Sequence, residues 1–528
     1  MAAALVVLGF CYRLWLAHAT FFNTDEAWHF SVANQDSLLA VYKASLTLAH
    51  PPLLVVILYF WRHLGTSDVM LRFPGVLAGS IFCWVFYKWL DVLVGRTAAW
   101  VGLIFATFLP PMIALSAELR QYSLLLMFAA AAAYLTERAL AENSAGKMLL
   151  SCLCLYLAML SHYSAFLFAA SLGVYVILRM ISLRMTSRGP RTALLTTWVI
   201  GQVAGLGLAW FLYATHISKL GEVYPDAQPL QRFGDFYIYD WYFHAGRDHL
   251  LPFLYRGTFG VFRFIFGQTA IGQIAALLYL AGLVLLVIQS WSTTSSGRSI
   301  AILLMAPFVL NWVAVFFGLY PYGRTRQCVF LAVFALAGVG VALARIARNR
   351  ATLAAAVALL VVVACHWFGT LQGRDMLPLA EQRREHMAQA IQFIRSHVSP
   401  ADVILTDKAT SFQLQHYLCP EKSVSIEPSG ESLPFQCGGL QVLSTGSHDG
   451  ALTAANIAAR SRAREDHGLE SVNQSWVVQA GWARGLGEAL RSEFPTFARL
   501  EIHSFGRYIE VFDLPPLKPA APADPPQR

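Results

Sequence analysis

The sequence predicts a polytopic α-helical membrane protein with a small α/β domain at its C-terminal end. Three observations predict this. Of 528 residues, 56% are hydrophobic and only 13% are charged, and the mean hydropathy of +0.51 exceeds what a water-soluble chain of this length carries. Apolar runs of about 17 to 25 residues, the length that crosses a bilayer as a helix, recur along the first 371 residues. Behind them the composition turns polar, with alternating helix and strand patterns. The 39 basic and 31 acidic residues leave a net charge of +8, but the excess is spread along the chain. That spread excludes a nucleic-acid-binding surface and reflects membrane topology, and the same composition excludes disordered and collagenous classes.

The apolar runs lie near 1–20, 75–94, 98–115, 119–141, 148–162, 163–182, 193–215, 268–290, 299–319, 326–346 and 351–371, about eleven spans. Loop charge sets their orientation. Lys88 and Arg96, then Arg138 and Lys147, then Arg179, Arg184, Arg188 and Arg191, then Arg298, then Arg345, Arg348 and Arg350 mark five cytoplasmic loops. The opposite loops hold most of the acids, including Asp25, Glu26, Asp36, Asp68, Glu118, Glu222, Asp226, Asp235, Asp240 and Asp248. The run Pro51–Trp61 would reverse every later loop if it crossed, so it is expected to be a juxtamembrane helix outside. The same parity puts the region after residue 371 on the outer side. Arg13, inside the first run, is expected to snorkel to the outer headgroups. No small-residue cleavage pattern follows that run, so a retained span is expected rather than a signal peptide.

The membrane domain is expected over 1–371, a periplasmic α/β domain over 372–513 and a disordered Pro/Ala-rich tail over 514–528. In the α/β domain helices are expected near 380–397, 451–463 and 482–493, with strands near 402–407, 439–444, 474–480 and 499–513. Cys419 and Cys437 fall in an oxidising compartment and are either bonded or two free thiols; the other six cysteines lie in or beside spans. Gly338 and Gly340, like Gly485 and Gly487, complete no dinucleotide fingerprint, and Asn473–Ser475 fits a glycosylation acceptor that also arises by chance.

Five polar clusters converge on the outer face at span ends. Asn23, Thr24, Asp25 and Glu26 follow the first run; they read either as a helix start with Asn23 or Thr24 as N-cap, or as a source of a catalytic carboxylate. Helical neighbours point about 100° apart, so only one of Asp25 and Glu26 can face a given site. His50-Pro51-Pro52-Leu53 and Leu71-Arg72-Phe73-Pro74 form the second cluster, in which prolines at a helix start are structurally ordinary. Glu118-Leu119-Arg120-Gln121-Tyr122 puts an acid and a base at a hinge between apolar helices, either a structural ion pair or a functional pair. Ser161-His162-Tyr163 closes two tight spans. Tyr320-Pro321-Tyr322-Gly323-Arg324-Thr325-Arg326 presents two guanidinium groups on a turn, suited to phosphate or to headgroup anchoring. The loop 216–267 adds Phe233, Phe236, Tyr237, Tyr239, Trp241, Tyr242 and Phe243, an interfacial belt or a stacking surface. His244, Asp248 and His249 in that loop do not have the spacing of a helical zinc motif.

A carboxylate, several cations and apolar walls at one leaflet suit a substrate with an anionic head and a long lipid tail, such as a polyprenyl phosphate sugar. Its phosphate departs without a general acid. The enzyme must supply a base for the acceptor hydroxyl, Asp25, and cations for the leaving phosphate, Arg120, Arg324 and Arg326. Direct displacement with one base predicts inversion. No cofactor is required, though a divalent metal is compatible with the chemistry.

The series Asp25-Glu26, His50-Pro51-Pro52-Leu53, Leu71-Arg72-Phe73-Pro74, Glu118-Leu119-Arg120-Gln121-Tyr122, His162-Tyr163 and Tyr320-Pro321-Tyr322-Gly323-Arg324 resembles the bacterial branch of the GT-C glycosyltransferases over about residues 1–350. That branch is related to the protein O-mannosyltransferases of glycosyltransferase family 39 and to the lipid A aminoarabinose transferases. The resemblance implies a GT-C fold and an inner-membrane enzyme that moves a sugar from a polyprenyl phosphate to a lipid, glycan or protein hydroxyl in the bacterial cell envelope. It implies Asp25 as the main catalytic carboxylate, with Glu26 and Glu118 as further acidic candidates. It implies substrate contacts from His50, Arg72, Arg120, Tyr122, His162, Tyr163, Tyr322, Arg324 and Arg326. His50 stands where some relatives carry an acid or a lysine. The competing readings are a secondary transporter or flippase of a lipid-linked or anionic substrate, which needs polar groups at the midplane and a repeat between halves, and a receptor whose spans only anchor it. Neither explains acids and arginines at so many outer helix ends.

Overall fold

Helices follow from the apolar runs because a buried backbone in lipid must satisfy its own hydrogen bonds. The computed structural model describes residues 1–185, 192–219, 238–292, 296–368, 382–400, 402–423, 435–444, 453–457, 475–480, 486–493 and 501–514. In chain order its helices are α1 (Ala2–Ala19), α2 (Thr24–Ala33), α3 (Leu38–Ser45), α4 (Leu53–Trp61), α5 (Asp68–Leu93), α6 (Arg96–Phe108), α7 (Pro110–Ala117), α8 (Tyr122–Glu142), α9 (Ala145–Ser161) and α10 (Ala165–Met185). They continue as α11 (Thr192–Thr215), α12 (Leu250–Phe266), α13 (Thr269–Ser292), α14 (Ser296–Phe316), α15 (Ala332–Ile346), α16 (Ala351–Phe368), α17 (Arg384–His397), α18 (Lys408–Leu418) and α19 (Leu486–Glu493). The strands are β1 (Val403–Thr406), β2 (Phe435–Cys437), β3 (Leu440–Ser444), β4 (Ser475–Ala480), β5 (Glu501–Phe505) and β6 (Ile509–Leu514).

Among the described residues nine helices are long and apolar enough to cross a membrane, ten if the bent pair α6 and α7 is one span. The 17-residue α9 corresponds to the remaining expected run. The chain is a multi-pass membrane protein. The nine residues of α4 rise about 14 Å, half of a hydrocarbon core of about 30 Å, which agrees with a helix that does not cross.

The chain divides into two units, both discontinuous in sequence. One comprises Met1–Ala17, Leu48–Ile57 and Val69–Met376; the other comprises His18–Thr47, Leu58–Asp68 and Leu377–Arg528. In the first unit α15 is buried on every face. Its small residues allow this: a Cβ on Gly282 of α13 would stand 2.3 Å from the Gly338 carbonyl oxygen, and one on Gly340 would stand 3.0 Å from that of Ala98 in α6. Gly338 and Gly340 are packing glycines.

The run expected as a single span over 98–115 is instead bent by 54° between α6 and α7. Pro110 and Pro111 cause the bend. Neither has an N–H, so the carbonyls of Ala106 and Thr107 lose their intrahelical donors. Arg13 replaces them: its guanidinium donates to Ala106 O at 2.8 Å and Thr107 O at 3.0 Å, and to Gly9 O of its own helix at 3.1 Å. Arg13 is only 1% exposed, so the expected snorkelling is corrected. The side chain turns inward because two orphaned carbonyls there need donors.

The second unit is an α/β structure. Its six-stranded sheet runs β2-β3-β1-β4-β6-β5, with β1 parallel to β3 and β4 and the outer pairs antiparallel. β1 is buried along its length, as a central parallel strand covered on both faces should be. The amphipathic α17 buries Met387, Ala390, Ile391 and Ile394, and Phe21 joins the same core. The strand expected over 499–513 is a hairpin, β5 and β6, turned at Gly506 with φ +70°. The expected helix near 451–463 is helical over the described residues 453–457. The tail 515–528, Asn473, Phe233, Phe236, Tyr237, Glu222, Asp226 and Asp235 lie outside the described residues. Cys419 and Cys437 form a disulfide.

Candidate active site

The acid-bearing loop belongs to the second unit. Asn23 is the N-cap of α2: its side chain accepts the Glu26 N–H at 3.0 Å, and Glu26 Oε2 accepts the Asn23 N–H at 2.9 Å, a complete capping box. Glu26 is fully buried in this role. Asp25 takes no part in the box and is the less buried of the two acids. It sits in the first turn, where the helix dipole favours negative charge. One turn later His29 Nδ1 approaches the Asp25 carbonyl oxygen at 2.7 Å, which fits a ring that donates from Nδ1. The helix-start reading thus holds for Asn23 and Glu26, and Asp25 stands outside the box.

This loop is sewn to the α/β structure. Thr20 forms a β-bridge with Arg383, and Phe22 N–H donates to the Tyr417 hydroxyl at 2.7 Å. Ser31 Oγ donates to Gln415 Oε1 at 2.6 Å, and Asn34 Nδ2 donates to the carbonyls of Pro420 and Lys422 at 3.1 Å each. Asp68 receives His416 Nε2 at 2.7 Å and the Tyr417 hydroxyl at 2.9 Å, while Phe22 stacks on the His416 ring.

The remaining sequence-predicted residues belong to the first unit, where several converge. Glu118 ends α7 in an extended conformation, and the turn before α8 carries Arg120 and Gln121. Arg120 Nη2 lies 3.4 Å from His50 Nε2 and its guanidinium lies 5.6 Å from the Tyr122 ring centroid. His50 stacks on His162 at 5.2 Å and Tyr122 lies 5.4 Å from His162. Arg326 Nη1 donates to Glu118 Oε2 at 3.2 Å. Each of these residues is at most 8% exposed, so the two ion-pairing groups interact at low dielectric.

His162 Nδ1 accepts the Ser164 N–H at 3.2 Å and meets the Ser164 hydroxyl at 2.8 Å. Its other nitrogen, Nε2, is buried without a hydrogen-bond partner among the described residues. Because Nδ1 accepts the Ser164 N–H, a neutral ring carries its proton on Nε2 and presents it as a donor. Gln121, also fully buried, leaves both amide atoms unpartnered among the described residues. Sequence reasoning quoted Gln121 and Tyr320 without assigning them roles. The Tyr320 hydroxyl reaches His162 Nδ1 at 3.4 Å.

Other predicted residues have local structural partners. Arg72 is fully buried and donates to the Ala17 carbonyl near the end of α1 at 2.8 Å. Tyr163 pairs with His216. Tyr322 bonds the Thr258 hydroxyl at 2.7 Å, and its N–H donates to the Trp241 carbonyl at 2.8 Å. Arg324 is half-buried beside Gly323, where a Cβ would run into the Trp241 ring. Trp241 thus packs the turn that presents Arg324 and Arg326. Asp248 accepts the His244 N–H at 3.0 Å and pairs with Arg247, and no group of three or more His, Cys, Asp or Glu side chains among the described residues could hold a metal ion.

Residues 49–206 match the family model described as dolichyl-phosphate-mannose-protein mannosyltransferase. No curated protein matches. Among solved structures, ArnT from Cupriavidus metallidurans matches in the apo state and bound to undecaprenyl phosphate, each with 12% identity, 97% of both chains covered and a TM-score of 0.51. The archaeal oligosaccharyltransferase AglB from Archaeoglobus fulgidus, in complex with an inhibitory peptide and a dolichol-phosphate, matches with 12% identity and a TM-score of 0.47 over 92% of this chain and 72% of its own. Residues 49–206 thus match that family's model, and the chain as a whole shares the fold of ArnT.

Proposed function

We propose that the protein transfers one sugar from a polyprenyl-phosphate donor to a hydroxyl acceptor of the cell envelope, at the periplasmic face of the bacterial inner membrane. The observation that carries this reading is the separation of roles in the first loop: Glu26 closes the capping box of α2 while Asp25 does not. The buried set of Arg120, His50, His162, Glu118 and Arg326 supports it as a donor-head site. ArnT, whose fold this chain shares, is known with bound undecaprenyl phosphate. The basic loops opposite the acid-rich ones support the orientation.

In this reading Asp25 accepts the proton of the acceptor hydroxyl. The hydroxyl oxygen attacks the anomeric carbon, the bond from that carbon to the phosphate oxygen breaks, and polyprenyl phosphate leaves with the electron pair. Arg120, Arg324 and Arg326 stabilise its charge, and the neutral His162 can donate from Nε2. A single displacement inverts the anomeric centre. The reaction requires no cofactor in this account. Purified protein in liposomes, offered a panel of radiolabelled polyprenyl phosphate sugars and an envelope extract, should move label from one of them to an acceptor fraction. Arms with EDTA and with added Mg2+ or Mn2+ test the role of a divalent ion. Label that stays on lipid across the panel would refute the proposal.

A further inference from the structure

The helix α18 is polar in sequence and yet buried from Lys408 to His416. Its contacts with α2 explain why. Lys408, Phe412 and Gln415 recur at helical spacing and meet Trp28 and Ser31, residues one turn apart on α2. Phe412 stacks on Trp28 at 5.9 Å with 5° between the rings, and Lys408 Nζ stands 5.4 Å from the Trp28 ring centroid. Trp28 is the i+3 neighbour of Asp25, so the Lys408 ammonium lies along the helical face that carries the proposed catalytic acid.

Lys408 occupies an unfavourable position for a structural lysine. It is the first residue of α18, where the helix dipole opposes a cation, and it is only 6% exposed. A buried ammonium needs an anion. The adjacent Asp407 is committed elsewhere: its Oδ1 accepts the N–H groups of Ala409 and Thr410 at 2.8 and 3.0 Å, and its Oδ2 accepts the Thr410 hydroxyl. Glu26 has its Oε2 in the capping box, and Asp25 is the acid of α2 that stands outside it.

We propose that Lys408, supplied by the C-terminal part of the chain, is a positioning residue that holds and orients the Asp25 carboxylate for transfer. This rests on the assignment of Asp25 as the base. It makes the α/β structure an integral part of the catalytic apparatus rather than an accessory module.

The test compares Lys408→Met, Lys408→Arg and Asp25→Asn, alone and as the Asp25→Asn/Lys408→Met pair, by steady-state and single-turnover transfer from the donor identified in the panel. Lys408→Met should lower kcat about 10- to 100-fold with donor KM changed less than about twofold, the range expected for coupled neighbours. Lys408→Arg should recover most of that loss. In the Asp25→Asn background Lys408→Met should cause no further drop, because its effect passes through Asp25. The proposal is overturned by a folded Lys408→Met protein with wild-type kcat, or by a loss that appears in KM alone. It is also overturned by a full second loss in the double variant. If Lys408→Met does not fold, a folded Lys408→Arg protein with kcat below about one tenth of wild type overturns it, and near-wild-type kcat supports it. An active Asp25→Asn protein would instead remove the base assignment, a separate result.

Discussion

Replacing Arg13 by methionine separates a structural role from a functional one. An arginine in a span is by default a candidate for function, but here the guanidinium serves two carbonyls orphaned by Pro110 and Pro111. Methionine fills much of the volume and supplies no donor. The Cys83 thiol also donates to the Ala106 carbonyl at 3.3 Å, so Thr107 O is the one left without a donor; at about 1–3 kcal/mol for a buried unsatisfied carbonyl, Arg13→Met should destabilise the fold by about 1–3 kcal/mol. The penalty for placing an arginine in a span, about 2.5–3.5 kcal/mol, is present in the inserted but unfolded chain as well, and drops out of the difference. Arg13→Lys, with a charge but no fork, should lose about half as much. Reversible denaturation by SDS in mixed micelles measures the difference, and donor turnover per folded molecule should stay near wild type. A denaturation midpoint equal to wild type would refute the reasoning, as would lost turnover with unchanged stability.

Two further predictions concern the loop and the disulfide. Glu26→Gln keeps an oxygen to accept the Asn23 N–H and should leave stability and turnover close to wild type, whereas Glu26→Ala opens the capping box and should cost about 0.5–2 kcal/mol in the same denaturation assay. Reducing the Cys419–Cys437 disulfide, with a sequence separation of 18, should cost about 3 kcal/mol. Because Cys419 caps α18, transfer should fall with it, measured before and after treatment with a membrane-impermeant reductant.

The spans were legible because a bilayer demands length and apolarity, and α5, α8, α13 and α14 answer both demands. The break between α6 and α7 was written in Pro110-Pro111, but a reading based on apolarity passes over proline. Arg13 was misread for the same reason: its partners are backbone carbonyls that only the broken helix leaves open. The helix α18 escaped notice because periodicity arguments look for an apolar face, and this one buries Lys408, Gln413, Gln415 and His416 against another polar segment. Of the candidate residues, the association of His50, Arg120, Tyr122 and His162 was foreshadowed by their common position at span ends. The capture of the first loop by residues about 390 positions away was not, because sequence spacing carries no information about such non-local contacts.

The central claim is that Asp25 deprotonates the acceptor while a phosphorylated lipid departs. Rapid-quench analysis of one catalytic cycle, with enzyme in excess over the labelled donor, tests it most directly when wild type and Asp25→Asn are compared at equal donor occupancy. The account predicts that wild type releases polyprenyl phosphate together with a glycoside of inverted configuration, and that Asp25→Asn does so only at a residual rate. Equal rates from the two proteins, or a product of retained configuration, would contradict it.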